Sequence, residues 1–445
     1  MKLLQKNDDA KFLYLAVYEH FKRQILDHHL QEGTPMPSLR RCAKELGVSR
    51  TTIEAAYLQL SADGYIHARQ GSGYYVTGLI NRGIQPIPSA GIKKSTEPVF
   101  DFSSGGSDPK AFQMDLWTRY LKSALRQKER FLYYGEPQGE AELRTALSGY
   151  IRRRRNILCT PDEIVVGAGL QNLFQTLCPL LPPQQSVSFP NGDFMHGISV
   201  FRDYGFRVNI GSDESQILYV SPAQMTRWGE VMTVKRRMNL LALAAEKGKL
   251  LLEDDYENEF IYTGRAAPSL FALDGGKHTV YLGSFSRLFL PSTRIAFMIL
   301  PPTLLRAYQA RIPFLHQTAS KAEQIALAQF IQDGHLETQL RRAFRLYRQK
   351  LTLFEQTMKT LFPEPGSIAC GWSGASLALR LSKPLPTQHL MQAAEKYRLA
   401  FTLLPEQTGN GSVLLLSCSA IPLEEIADAC SLLHDFITET CQTVR

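Results

Sequence analysis

Hydrophobic periodicity changes character once along this 445-residue chain, at residues 77–99, and that break limits the fold more than any other feature. Before it, apolar residues recur at helical spacing in short runs and end in a glycine-punctuated pair of strands. Beyond it, short apolar strands alternate with helical stretches as far as the C-terminus. A chain this long does not close around one core, so two or three domains are expected. Their boundaries fall at 1–76, at a linker over 77–99 that holds Pro86, Pro88 and Pro98 with Gly78, Gly83 and Gly91, and at 100–445.

The first segment reads as three helices and a hairpin. Tyr14, Tyr18, Phe21 and Ile25 share one face of a helix over 11–27. Gly33-Thr34-Pro35-Met36-Pro37 breaks the chain. Ser38 then caps a helix through Leu46, which Gly47 ends in a position suited to positive φ. Ser49 caps a third helix to about Ala62, with Ile53, Ala56, Tyr57 and Leu60 on one side and Ser49, Arg50, Thr51 and Thr52 in its first turn. Tyr65–Arg69 and Tyr74–Val76, joined by Gln70-Gly71-Ser72-Gly73, form a strand–turn–strand wing. Two short helices joined by a glycine turn, followed by a wing, suit a helix-turn-helix whose second helix enters the DNA major groove.

Charge alone does not make that case. The chain carries a net +8, yet residues 1–76 hold ten Lys and Arg against eight Asp and Glu, an excess of only +2. The overall balance, 44% hydrophobic and 21% charged, is that of a globular protein. No apolar run reaches the roughly 18 to 20 residues that span a bilayer. The opening MKLLQKNDDA lacks the apolar core of a secretion signal, so a cytoplasmic location is expected. Seven scattered cysteines without a C-x-x-C pair fit reduced thiols and neither a metal site nor a disulfide framework.

In the second segment, strands over 164–166, 249–252 and 279–282 each lead into polar or glycine-rich turns, and 173–180 is helical. This alternation predicts a mostly parallel sheet with helices on both faces and ligands at the strand C-termini. Gly167-Ala168-Gly169 there can present backbone amides to an anion. An acidic residue after an apolar strand, as in Glu253-Asp254-Asp255, can pair with a protonated ring nitrogen. Ser284 and Arg294, ten residues apart, can hold a phosphate.

The stretch PSLRRCAKELGVSRTTIEAAYLQLSADGYIHARQGSGYYV (37–76) resembles the DNA-binding domain of the GntR family. The resemblance implies that Arg40, Ser49, Arg50, Thr51 and Thr52 contact a double-stranded operator, with Gln70 and Gly71 on the wing. YYGEPQGEAELRTAL (133–147), LLLEDDYENEF (250–260), YLGSFSRLFLPSTRIAFMILP (281–301) and IALAQFIQDGHLETQLRRAFRLY (325–347) resemble the fold-type I aminotransferases. More specifically, they resemble the MocR regulators, in which such a fold follows a GntR domain. The implied architecture is multi-domain α/β: a winged helix-turn-helix, then a fold-type I aminotransferase-like domain with a mostly parallel mixed sheet and a small C-terminal α+β subdomain. A homodimer is implied as well. For pyridoxal 5'-phosphate, the resemblance assigns phosphate contacts to Ala168, Gly169, Leu170, Ser284 and Arg294. Phe194 would stack on the ring, with a one-residue insertion in the alignment and where the family usually has tyrosine. Asp254 would meet the ring nitrogen and Tyr256 the ring hydroxyl.

The resemblance breaks at the chemistry. The family's Schiff-base lysine, fourth in S-F-S-K, is here Arg287, whose guanidinium has no usable lone pair at accessible pH. The family's carboxylate-binding arginine falls on Leu415, and its H-Q-F-P-T-G loop reads Gln224-Met225-Thr226-Arg227-Trp228-Gly229. The expectation is a transcription regulator with no transaminase activity, whose pocket binds a B6 vitamer non-covalently, with Arg287 against an anion. The competing readings are an active aminotransferase with a DNA-binding appendage, and a DNA-binding dimer whose C-terminal domain binds no small molecule.

Overall fold

The computed structural model describes residues 10–78, 98–103, 106–192, 194–226, 228–256, 258–262, 267–285, 289–371, 373–381, 385–404 and 412–443. The chain divides into two compact units, one up to residue 95 and one from residue 96.

In the first unit, α1 (Ala10–Leu26), α2 (Leu39–Leu46) and α3 (Arg50–Ala62) precede a hairpin of β1 (Ile66–Arg69) and β2 (Gly73–Val76). The helix ends follow the sequence signals. Ser38 accepts from the Arg41 amide, Gly47 takes the left-handed conformation at φ 69°, and Ser49 accepts from the Thr52 amide. Phe21, Ile25, Ile53, Tyr57, Leu60 and Val76 close a small core. The Tyr57 hydroxyl also donates to the Pro37 carbonyl at 3.0 Å, tying α3 to the turn before α2.

The second unit opens with β3 (Phe100–Asp101), α4 (Met114–Leu125) and α5 (Ala141–Arg155). Then come β4 (Ile164–Gly167), α6 (Leu170–Leu177), β5 (Ser186–Phe189), α7 (Met195–Asp203), β6 (Arg207–Ile210), β7 (Ile217–Val220), α8 (Val234–Lys247), β8 (Leu250–Asp254), α9 (Leu270–Asp274), β9 (Thr279–Ser284) and β10 (Ala296–Ile299). These strands form a seven-stranded sheet in the order β4-β10-β9-β8-β7-β5-β6. Pairs among β5 to β9 are parallel, and β10 runs antiparallel to both β4 and β9. Burial on both faces follows the period of two: Tyr281 joins the core beneath α4, α5 and α11 (Lys321–Gln332), while Val280 and Leu282 join the core under α6, α7 and α10 (Pro302–Arg311).

The long α12 (His335–Leu361) leads into a smaller antiparallel sheet ordered β11-β12-β15-β14. Its strands are β11 (Ile368–Cys370), β12 (Ser376–Arg380), β14 (Thr402–Leu404) and β15 (Val413–Ser417), with α13 (Thr387–Tyr397) and α14 (Ile426–Thr443) beside them. Leu377, Leu379, Leu414 and Leu416 share its core with Phe354 of α12 and Phe436 of α14. β13 (Leu399–Ala400) pairs in parallel with β3, stitching the start of the unit to this subdomain. No helix among the described residues is long and apolar enough to cross a membrane.

Candidate functional site

The first unit presents its polar helix start to solvent. Arg50, the first residue of α3, is exposed, as are Arg40 on α2 and Thr51; Thr52 is half-buried. Ser49 plays a different part from its neighbours. Its Oγ accepts from the Thr52 amide at 3.0 Å and lies 2.7 Å from the hydroxyls of both Thr51 and Thr52. The side chain is therefore committed to the cap, and Arg50 is the group left to reach outward. Gln70 and Gly71 sit exposed at the tip of the hairpin, where Gly71 takes φ 72°.

In the second unit the sheet register gathers the phosphate-type residues. Ala296 pairs with Gly167 on one side and Ser284 on the other. The Gly167-Ala168-Gly169 turn, the end of β9 and Arg294 therefore meet at one end of these three strands. Arg294 takes the left-handed conformation at φ 50°, and Gly169 has φ 90°. A Cβ on Gly169 would stand 2.5 Å from Nη2 of Arg294, so the glycine makes room for the guanidinium.

The turn's amides are shared out otherwise than the sequence suggests. The Ala168 N–H donates to Thr318 Oγ1 at 3.2 Å and Asn172 Oδ1 at 3.3 Å, and the Gly169 N–H donates to the Gly167 carbonyl at 2.9 Å. Leu170 opens α6, so its amide lies in the first helical turn, where N–H groups have no intrahelical acceptor. Thr318 Oγ1 in turn lies 2.7 Å from Asn172 Oδ1. Neither Thr318 nor Asn172 carries a local motif that would single it out.

Three consecutive acids, Glu253 and Asp254 at the end of β8 and Asp255 just past it, separate by partner. Glu253 accepts from the amides of Leu270 and Phe271 at 2.7 and 2.8 Å. Asp255 takes a two-pronged bond from Arg155 at 2.7 and 2.8 Å and a third from the Tyr281 hydroxyl at 2.6 Å. Asp254 receives only neutral donors among the described residues: the Tyr219 hydroxyl, in a short hydrogen bond, and the Tyr256 amide at 3.1 Å. Burial pushes its carboxyl up to about 7, against the pull of the Tyr219 bond. Tyr219 stands on β7, the parallel neighbour of β8, and sequence reasoning missed it.

Phe194 immediately precedes α7, its ring centroid 5.5 Å from that of Tyr219 with 31° between the planes. It thus joins the aromatic wall beside Asp254. Tyr256 is half-buried next to that carboxylate. Leu415 is 3% exposed and pairs with Ala378 and Thr402 in the small sheet. Arg287 and Arg227 lie outside the described residues.

A winged helix-turn-helix unit followed by a seven-stranded mixed sheet covered by helices defines a regulator built on an aminotransferase-like body. Residues 13–76 match the family of bacterial regulatory proteins of the gntR type, and residues 98–373 match aminotransferase class I and II. The HTH-type transcriptional regulator YhdI of Bacillus subtilis is 34% identical over 91% of both chains. The probable rhizopine catabolism regulatory protein MocR of Rhizobium meliloti is 27% identical over 92% of this chain and 89% of its own. The pyridoxine biosynthesis regulator PdxR of Corynebacterium glutamicum is 27% identical over 77% and 78%. Among solved structures, an archaeal alanine:glyoxylate aminotransferase shares the fold at TM-score 0.70 and 18% identity, covering 78% of this chain and 92% of its own. The chain belongs to the MocR subfamily of GntR-type transcription regulators, with a helix-turn-helix DNA-binding domain and an aminotransferase-like domain.

Proposed function

We propose that this regulator binds its operator as a homodimer and senses pyridoxal 5'-phosphate, or a close B6 vitamer, held without a covalent bond and without transamination. Asp254 carries the reading. It is a buried carboxylate at a strand end, hydrogen-bonded by neutral groups, while the acids on either side of it are satisfied from within the fold. A protonated pyridine nitrogen supplies the positive charge that such a group lacks.

The rest of the pocket fits the same ligand. Arg294 over Gly169, Ser284 and the first turn of α6 would hold the phosphate, Phe194 would face the ring and Tyr256 its hydroxyl. Bound there, the cofactor supplies an aldehyde and an electron-withdrawing ring. This chain has Arg287 where relatives of the fold carry the lysine that bonds to the aldehyde, and Leu415 where they carry the arginine that grips a substrate carboxylate. The residues bind and orient the ligand but leave proton transfer without a base, which favours sensing over turnover.

Exposed apolar side chains support the dimer. Leu132, Tyr133 and Tyr134 follow one another in the chain, with Tyr134 89% exposed, and the Tyr134 ring lies 5.4 Å from that of His316, two residues beyond Phe314, itself 82% exposed. Lys321 fixes this loop by donating to the carbonyls of Arg130, Tyr133 and Tyr134. Native mass spectrometry with and without pyridoxal phosphate tests both parts of the proposal. The expected result is a dimer that gains one ligand per chain and loses it on denaturation. A monomer, or a dimer that gains no ligand, would contradict it.

A further inference from the structure

We infer that the exposed face of α12 between Thr338 and Gln349 is a second duplex-contacting surface, one that grips DNA backbone phosphates without reading sequence. Residues 338–349 contain Arg341, Arg342, Arg345 and Arg348 and no acidic residue. All four arginines are exposed. Two open clefts share Arg341 and Arg345: one runs between Thr338 and Gln349 along the helix, and the other reaches Arg154 and Glu259.

The nearby carboxylates are already spent. Glu259 is held by Arg154 and Glu337 by Arg153, both from the end of α5. Arg341 bonds only the hydroxyl of Thr338, and Arg342 only the Lys110 carbonyl, among the described residues. No ion pair among the described residues involves Arg341, Arg342, Arg345 or Arg348, so their charge projects outward.

The arrangement suits a polyanion better than a small anion. The charges do not converge on a point; from Arg341 to Arg348 they are strung along about 10 Å of helix axis. One strand of a duplex offers a phosphate about every 3.4 Å of its axis, so about three fall within that reach. Guanidinium forks pair with phosphate oxygens two at a time, which a lysine cannot do. Duplex DNA is also the polyanion this protein already handles. Its recognition domain is electrostatically poor, with an excess of only +2 over residues 1–76, although phosphate neutralisation supplies most sequence-independent affinity.

The test uses the full chain, a long mixed-sequence duplex and binding isotherms across a salt series. Arg341→Ala with Arg345→Ala should lower the slope of log affinity against log salt by about 2 per chain, since each phosphate contact contributes about 0.9. Affinity at low salt should fall about tenfold or more, with an unchanged thermal midpoint. Arg341→Lys with Arg345→Lys, which keeps the charge, should restore most of the slope. Arg50→Ala should reduce affinity for the operator more than for the mixed-sequence duplex, whereas the α12 pair should weaken both alike. An unchanged slope in the alanine pair would overturn the inference, as would a loss confined to the operator.

Discussion

The guanidinium of Arg294 occupies the space that a side chain at residue 169 would need, with Nη2 2.5 Å from where a Cβ on Gly169 would stand. The relationship ties the turn before α6 to the turn before β10, although 125 residues separate them. It also makes the glycine a probe of the pocket. Gly169→Ala would displace the far end of Arg294 and place a side chain at φ 90°. We expect a stability loss of about 1–3 kcal/mol from the backbone, together with weakened pyridoxal phosphate binding in a fluorescence titration. Unchanged ligand affinity would mean that Arg294 takes no part in the phosphate site.

Asp254 and Glu253 give the second unit a pH signature. Burial holds both carboxyls up to about 7, so in the ligand-free protein each keeps its proton where the unfolded chain has lost it. At these two carboxyls the folded state then holds more protons than the unfolded chain between about pH 4 and about pH 7, so the stability they contribute falls as pH rises through that window. Asp254→Asn removes the contribution of that carboxyl, so its melting temperature should decline less over the window than that of the parent. Pyridoxal phosphate should flatten the decline in the parent by pairing with the ionised form, and should do so much less in Asp254→Asn. Parallel curves for parent and variant would show that Asp254 ionises as an ordinary carboxylate.

Ser49 and Arg50 are adjacent but should fail differently. Ser49→Ala removes the cap on α3 and should cost about 1 kcal/mol of stability in the first unit. Arg50→Ala should leave the melting temperature alone and weaken operator binding by about 1–3 kcal/mol if it reads a base edge. Thermal unfolding and anisotropy at fixed salt, run on both variants, separate the roles. Wild-type operator affinity in Arg50→Ala would remove that residue from the interface.

Much of the fold was legible because its signals are local. Ser38, Gly47 and Ser49 bracket α2 and open α3 as capping chemistry requires, and the apolar runs that became β4, β8 and β9 needed no knowledge of their neighbours. The residues of the proposed site were legible only as residue types at strand ends. What stayed hidden depends on contacts between distant segments. Tyr219 meets Asp254 across 35 residues because β7 and β8 run side by side, and Thr318 takes the Ala168 amide across 150. That second contact gives the Ala168 amide an acceptor within the fold, as the Gly167 carbonyl does for the Gly169 amide. The antiparallel direction of β10 is likewise a matter of long-range pairing that its four apolar residues do not encode.

Intact-mass analysis after borohydride reduction tests most directly whether the vitamer is held by contacts alone. The full-length protein would be saturated with pyridoxal phosphate, treated with borohydride and denatured. If Arg287 stands where the family's bonding lysine does, as proposed, the chain should return at its unmodified mass, and Arg287→Lys should gain the reduced cofactor on a peptide from residues 281–301. A borohydride-stable adduct on any lysine of the parent protein would contradict the account, because the cofactor would then be covalently held.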